Sequence, residues 1–174
     1  MIAPEPDNKK GSAVIVVDTL SFRRAGLLAI LSPWAISHEC SLLPVDRIES
    51  TQSASCDMFI LNLGGQSFSS AIHPQWIDHI REQPSRTPFV IISDREEPEE
   101  TLRAFDAGAS GFIPTSLNPE LVFHALTFII SGGSFFPPSA LLSFARDKEP
   151  SSRSPDRRIS KSAASRNLQP ISLA

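Results

Sequence analysis

Cysteine is scarce, charge is nearly balanced and no apolar run is long; each shortage removes a class of protein. The chain has 174 residues and two cysteines, Cys40 and Cys56. These have neither metal-ligand spacing nor a paired framework, and read as small buried or half-buried thiols of a reducing compartment. No apolar run approaches the ~18 residues of a membrane span, so no membrane partner is expected. The opening Met1-Ile2-Ala3-Pro4-Glu5-Pro6-Asp7 has acids and prolines where a signal peptide needs positive charge and then an apolar stretch. The expected location is cytoplasmic. With a net charge of −3, 41% hydrophobic and 20% charged residues, nothing in the balance calls for nucleic acid or an anionic surface. His38, His73, His79 and His124 are scattered without ligand spacing and are expected at the surface or edges.

What the chain does have is four short apolar segments that each run into a small polar residue. Ala13-Val14-Ile15-Val16-Val17 leads to Asp18, and Met58-Phe59-Ile60-Leu61 to Asn62. Phe89-Val90-Ile91-Ile92 leads to Ser93, and Gly111-Phe112-Ile113 is followed by Pro114 and Thr115. If these are parallel strands of one sheet, the polar residues gather at their carboxyl ends, where open α/β sheets place their sites. Of the four, only Asp18 carries a charge.

Helical patterns separate the strands. Ser21 is a candidate cap for a helix with Leu27, Leu28, Ile30 and Leu31 on its apolar stripe and Pro33 just past its end. Residues 36–43 are a weak strand candidate, 45–50 a short helix and 51–55 a loop. Residues 64–67, starting Gly64-Gly65, read as a flexible loop. This glycine pair lacks the following Lys-Ser/Thr of a phosphate cradle. A helix over 71–83 carries Ile72, Trp76, Ile77 and Ile80 at helical spacing. The acid-rich run from Asp94 opens a helix to Ala107, with Pro98 in its first turn and Gly108 as its stop. After a strand over 110–113, Asn118 caps a helix that runs to Ile130 and is closed by Gly132-Gly133. Residues 138–144 add a short helix. This βα alternation predicts a parallel sheet with helices on both faces. Residues 1–11 form a polar leader, 12–145 the folded domain and 146–174 a flexible Ser/Arg/Pro-rich tail. A compact part of about 145 residues buries roughly two thirds of its unfolded surface, enough for its own core.

Val17-Asp18-Thr19-Leu20-Ser21-Phe22-Arg23-Arg24-Ala25-Gly26-Leu27 resembles the opening of a bacterial two-component receiver domain. Gly108-Ala109-Ser110-Gly111-Phe112-Ile113, then Asn118-Pro119-Glu120-Leu121 and Ser131-Gly132-Gly133-Ser134-Phe135-Phe136-Pro137-Pro138, resembles the response regulators with a LuxR/NarL-type output domain. The resemblance covers about residues 12–145. It implies the doubly wound, flavodoxin-like α/β fold with a five-stranded parallel sheet of order 2-1-3-4-5.

Such receivers take a phosphoryl group on an aspartate ending the third strand, beside Mg²⁺ held partly by two acids after the first. A Ser/Thr ending the fourth strand and a Lys ending the fifth then read the phosphate. The matching positions here are Asn62 for the phosphoacceptor, Asp18 with Thr19 for the acid pair, and Ser93 and Thr115 for the switch pair. An amide is not the carboxylate nucleophile that acyl-phosphate formation needs. Asp18 alone makes a poor site for a hard, octahedral ion, so Mg²⁺ binding is expected to be weak or absent and no other cofactor is implied. Thr115 lacks the cation that pairs with phosphoryl oxygens. Hydrogen bonds among Asn62, Ser93 and Thr115 are expected to close the pocket, although Asp18 also fits a strand-end acid capping nearby amides. The expectation is a pseudo-receiver in bacterial signal transduction and transcriptional regulation, non-enzymatic and acting by protein contact.

Two alternatives stand beside it. One is the N-terminal part of a phosphorelay regulator whose DNA-binding helix-turn-helix is absent from these 174 residues. The other, of a different class, is a small hydrolase using Ser93, which is followed by Asp94 but has no histidine near it in the inferred fold. In the last long helix, Leu121, Val122, Phe123, Leu126, Phe128, Ile129 and Ile130 spread around most of the circumference. Part of that surface is covered either by residues 134–145 or by a second copy. A homodimer through the first and last long helices is the expectation, with Leu121, Val122, Phe128 and Ile129 as its face. The basic residues of the tail, among them Arg157, Arg158 and Lys161, fit a solvated linker at least as well as a weak phosphate contact.

Overall fold

The computed structural model describes residues 12–48, 56–72, 74–82 and 87–138. The leader, the tail, the loop over 51–55 and nearly all of the short helix over 138–144 lie outside them. The elements run β1 (Ser12–Val17), α1 (Ser21–Ser37), β2 (Cys40–Val45), β3 (Met58–Gly64), α2 (Phe68–Ala71), α3 (Pro74–Arg81), β4 (Phe89–Ser93), α4 (Pro98–Asp106), β5 (Gly111–Pro114) and α5 (Pro119–Ile130).

The strands form one parallel sheet of order β2-β1-β3-β4-β5, as the sequence predicts. The inner strands β3 and β4 are buried along their whole length. That is why they read as unbroken apolar runs rather than alternating ones. Ile15, Phe59, Leu61, Ile91 and Phe112 point to one face and pack with Phe68, Ile77, Ile80 and Ala104 of α2, α3 and α4. Val14, Val16, Ile60, Val90 and Ile113 point to the other and pack with Leu31, Trp34, Ala125, Leu126 and Ile129 of α1 and α5. Alternation along each strand has thus sorted the apolar side chains into two cores, one per face.

Several boundaries differ from the sequence reading. Pro33 lies inside α1, not past it. A proline there removes a hydrogen bond to the preceding turn, but Trp34 and Ala35 beyond it are buried, and their packing carries the helix on to Ser37. The second strand consequently begins at Cys40 rather than 36 and includes Val45, where a helix was expected. Asp46 and Arg47 form a bend, and the rest of that expected helix is outside the described residues beyond Ile48. The expected helix over 71–83 is two: α2 ends at Ala71, Ile72 is extended, and α3 starts at Pro74. A proline disfavours helical backbone just before it, so the pattern breaks there. Ser21 is the first helical residue of α1, and its cap is Leu20 with no side-chain bond. Asn118, by contrast, accepts the Leu121 N–H at 2.8 Å as predicted.

Candidate functional site

Register brings the strand ends together. Val17 is level with Leu61, Asn62 with Ile92, Gly64 with Ser93, and Ser93 with Pro114. Asp18, Asn62, Ser93 and Thr115 therefore share the carboxyl edge of the sheet. Thr19 is also there but exposed. A shift in pairing between Asn62 and Gly64 lets β3 reach the edge one residue further than its neighbour.

Asp18 is 1% exposed and anchors one half of this edge. Its Oδ1 accepts from the Leu20 N–H at 2.8 Å and from Arg23 Nη2 at 2.9 Å. Its Oδ2 accepts from Arg23 Nε at 2.7 Å and from Asn62 Nδ2 at 2.6 Å. Two bonds to each oxygen use up the acceptor capacity of a carboxylate. Arg24 donates to the Asp18 backbone carbonyl. The Arg23 fork is bidentate, the geometry that makes charge-assisted pairs strong. That bond to Asp18 raises the already high pKa of Arg23, and the Asp94 charge adds to it.

Gly64 completes this half. Its φ is +55°, and a Cβ there would lie 1.8 Å from Arg23 Nη1 and 2.7 Å from Cζ. The guanidinium thus lies flat against backbone that only glycine leaves open. On one side Asn62 lines an open cavity of about 360 Å³ with Arg23, Ile92, Asp94 and Thr115, whereas the space over Asp18 and Asn62 that is bounded also by Gln66, Ala71 and Trp76 is about 20 Å³. That is room for about one water molecule and too little for a phosphoryl group.

The other half has neutral strand-end residues, with the exposed Arg95–Glu97 ion pair at 3.2 Å just beyond them. Ser93 is buried, donates to the Gly64 carbonyl at 3.3 Å and accepts from the Arg95 N–H at 3.1 Å. Thr115 is exposed and donates to Asp94 Oδ1 at 2.8 Å. The expected mutual bonds among Asn62, Ser93 and Thr115 are absent: each hydroxyl or amide has a nearer partner on an adjacent segment. No histidine lines either cavity at this edge, and no group of three or more His, Cys, Asp or Glu among the described residues is arranged to hold a metal.

Away from the edge, α1 and α5 lie side by side. Trp34 Nε1 donates to Thr127 Oγ1 at 3.0 Å, and His38 Nε2 meets the same oxygen at 2.9 Å. His38 is therefore a half-buried bridge between two helices rather than a loose surface residue. Leu121 and Phe128 are 40% and 57% exposed, Val122 is half-buried, and Ile129 is fully buried against the sheet. Ile129 is withdrawn from the outer face, because it lies one turn from Ala125 and Leu126 on the core side.

Sequence reasoning missed Arg23, Gly64, Gln66, Trp76 and Asp94. Arg23 was legible only as part of a helix start. The signal available was a basic residue five positions after the one strand-end acid, which one turn of helix folds back onto it.

No protein-family model matches the chain. It is 26% identical over 139 residues to the Fimbriae Z protein of Escherichia coli K12, an alignment covering 76% of this chain and 62% of that protein. The chain thus spans less than two thirds of the length of this curated relative. Among solved structures, it is similar to a LuxR family DNA-binding response regulator from Silicibacter pomeroyi. The TM-score is 0.57 and identity 24%, covering 74% of this chain and 98% of that one. It is also similar to the isolated REC domain of RcsB from Salmonella enterica serovar Typhimurium, solved with the phosphomimetic BeF3-. Here the TM-score is 0.59 and identity 15%, with coverage of 76% and 97%. The chain has the response-regulator receiver fold, and no helix among its described residues is long and apolar enough to cross a membrane.

Proposed function

We propose that this chain is a cytoplasmic signalling module of the response-regulator kind that works through protein contact and accepts no phosphoryl group. One observation carries the reading: the residue ending β3 is Asn62, whose amide nitrogen donates to Asp18 at 2.6 Å inside a closed corner. An amide has no carboxylate oxygen to attack a phosphodonor, and this one is already spent as a donor. Mg²⁺, which the fold family implies, does not suit the residues present, since every acceptor site of Asp18 is taken by Leu20, Arg23 and Asn62. Ser93 has no nucleophilic role in this reading, because its hydroxyl is buried and bonded on both sides.

The contact surface we assign is the α1/α5 face, and the partner a second copy of this chain. Phe22, Ile30 and Ile36 of α1 and Leu121 and Phe128 of α5 are all exposed, Phe22 to 93%. Large side chains grouped in water on two adjacent helices are the signature of an interface. No contact with DNA is assigned to the described residues.

Incubation with a small acyl phosphate and Mg²⁺, read by intact mass, tests the first claim. No gain is expected, and a one-phosphoryl gain mapped to this edge contradicts it. Sedimentation tests the second. Wild type is expected to dimerise and Phe128→Asp to be a folded monomer; a wild type that stays monomeric at high concentration rejects the interface.

A further inference from the structure

We infer that Arg23 is the resident cation of this pocket, a specificity-determining residue that takes the Asp18 carboxylate a divalent ion would need and so keeps that ion out. The inference rests on the contact-only reading and deepens it. Loss of the β3 carboxylate explains why no phosphoryl group is accepted. It does not explain what compensates the surviving acid, Asp18, in its buried position.

The geometry supplies that explanation. A carboxylate that is 1% exposed needs a compensating charge. Arg23 provides it through two bonds of 2.7 and 2.9 Å, one to each oxygen. Its Nη2 also points toward the Asn62 carbonyl oxygen at 3.4 Å. One cation therefore faces oxygens from both β3 and the end of β1.

Gly64 is an independent sign that the chain is built around this arrangement. The space its missing Cβ leaves is filled by the guanidinium, with Nη1 1.8 Å from where that atom would stand. A Cβ at 64 would displace the guanidinium of Arg23. The Asp94 carboxylate, hydrogen-bonded to Thr115 across the edge, adds a second negative charge that favours a cation here.

The assignment makes a sharp demand on any attempt to restore the site. Asn62→Asp supplies the second carboxylate but leaves Arg23 on Asp18, so it is not sufficient. Mn²⁺ alone serves as the probe, with paramagnetic broadening of the amide resonances of residues 18, 62 and 93 as the readout. The wild type is expected to show no saturable broadening. The double variant Arg23→Ala/Asn62→Asp is expected to bind, with Asn62→Asp weaker by about tenfold or more, because a bidentate cation occupies its ligand. Arg23→Lys/Asn62→Asp keeps a positive charge and is expected to exclude the ion.

The same spectra report folding. If Arg23→Ala unfolds the chain, Gly64→Asn/Asn62→Asp provides a second route: asparagine tolerates positive φ, and its Cβ displaces the guanidinium with Arg23 intact. Binding by Asn62→Asp alone as tight as by the double variants overturns the inference. So does a folded double variant that does not bind, or a wild type that does. None of these results requires phosphoryl uptake by the wild type, which is what would defeat the contact-only reading.

Discussion

The two halves of the sheet edge solve the same problem in different ways. Around Asp18, a charge is buried and every acceptor site is filled by Arg23, Asn62 and the Leu20 amide. Around Ser93 and Thr115, neutral hydroxyls bond to neighbouring segments, Ser93 twice and Thr115 once, and Thr115 is exposed. The first half is rigid because a partly satisfied buried charge is costly. The second holds no buried charge, and at the exposed Thr115 water can replace a lost bond. In the charged half the acceptor sites of Asp18 are filled by the chain's own side chains and backbone.

Substitutions should expose that asymmetry. The largest effect is expected from Arg23→Ala, which strands a buried carboxylate and should cost about 3 kcal/mol in urea unfolding. A cost below about 1 kcal/mol, the range of an exposed pair, would mean that the two halves do not differ. Gly64→Ala should follow at about 2 kcal/mol, combining a left-handed backbone that alanine resists with displacement of the guanidinium. Ser93→Ala should cost about 1 kcal/mol, the net value of one hydrogen bond, and Thr115→Val less because its hydroxyl is exposed. If Thr115→Val proves as damaging as Arg23→Ala, the neutral half is the structural one.

Cys56 gives a control far from both halves. Burial pushes its thiol up to about 11 from an ordinary 9.0. The neutral thiol favours the folded state fully below the ordinary value, and this contribution is lost as pH rises from there toward about 11. Alkylation below pH 9.0 should label Cys40 first, because Cys56 is buried and Cys40 half-buried. Faster labelling of Cys56 in the folded chain would show that the sheet's far edge opens more readily than its packing implies.

Most of the fold was legible in the sequence because it follows from apolar periodicity. Buried parallel strands declare themselves as Val14-Ile15-Val16-Val17 or Phe89-Val90-Ile91-Ile92, and each strand end names its edge residue. The cap at Asn118 and the stop at Gly132, where φ is +95°, came from local chemistry alone. Pro33 and the break before Pro74 were harder, since packing of Trp34 decides the first and backbone crowding the second. The site was legible as positions and illegible as partnerships. Asp18, Asn62, Ser93 and Thr115 were placed by strand order, whereas their hydrogen bonds depend on side-chain reach. Arg23 lies across β1 from its sequence neighbours' direction only once α1 has turned, which no pattern along the chain records.

The central claim is that the Asp18 corner of the edge is already filled and the edge does not respond to a phosphoryl-like ligand. It is tested most directly by titrating the ¹⁵N-labelled protein with BeF₃⁻ and Mg²⁺ and following its amide spectrum. The account predicts no saturable shift at residues 18, 62, 93 and 115. Saturable shifts confined to those four, with the rest of the spectrum intact, would contradict it.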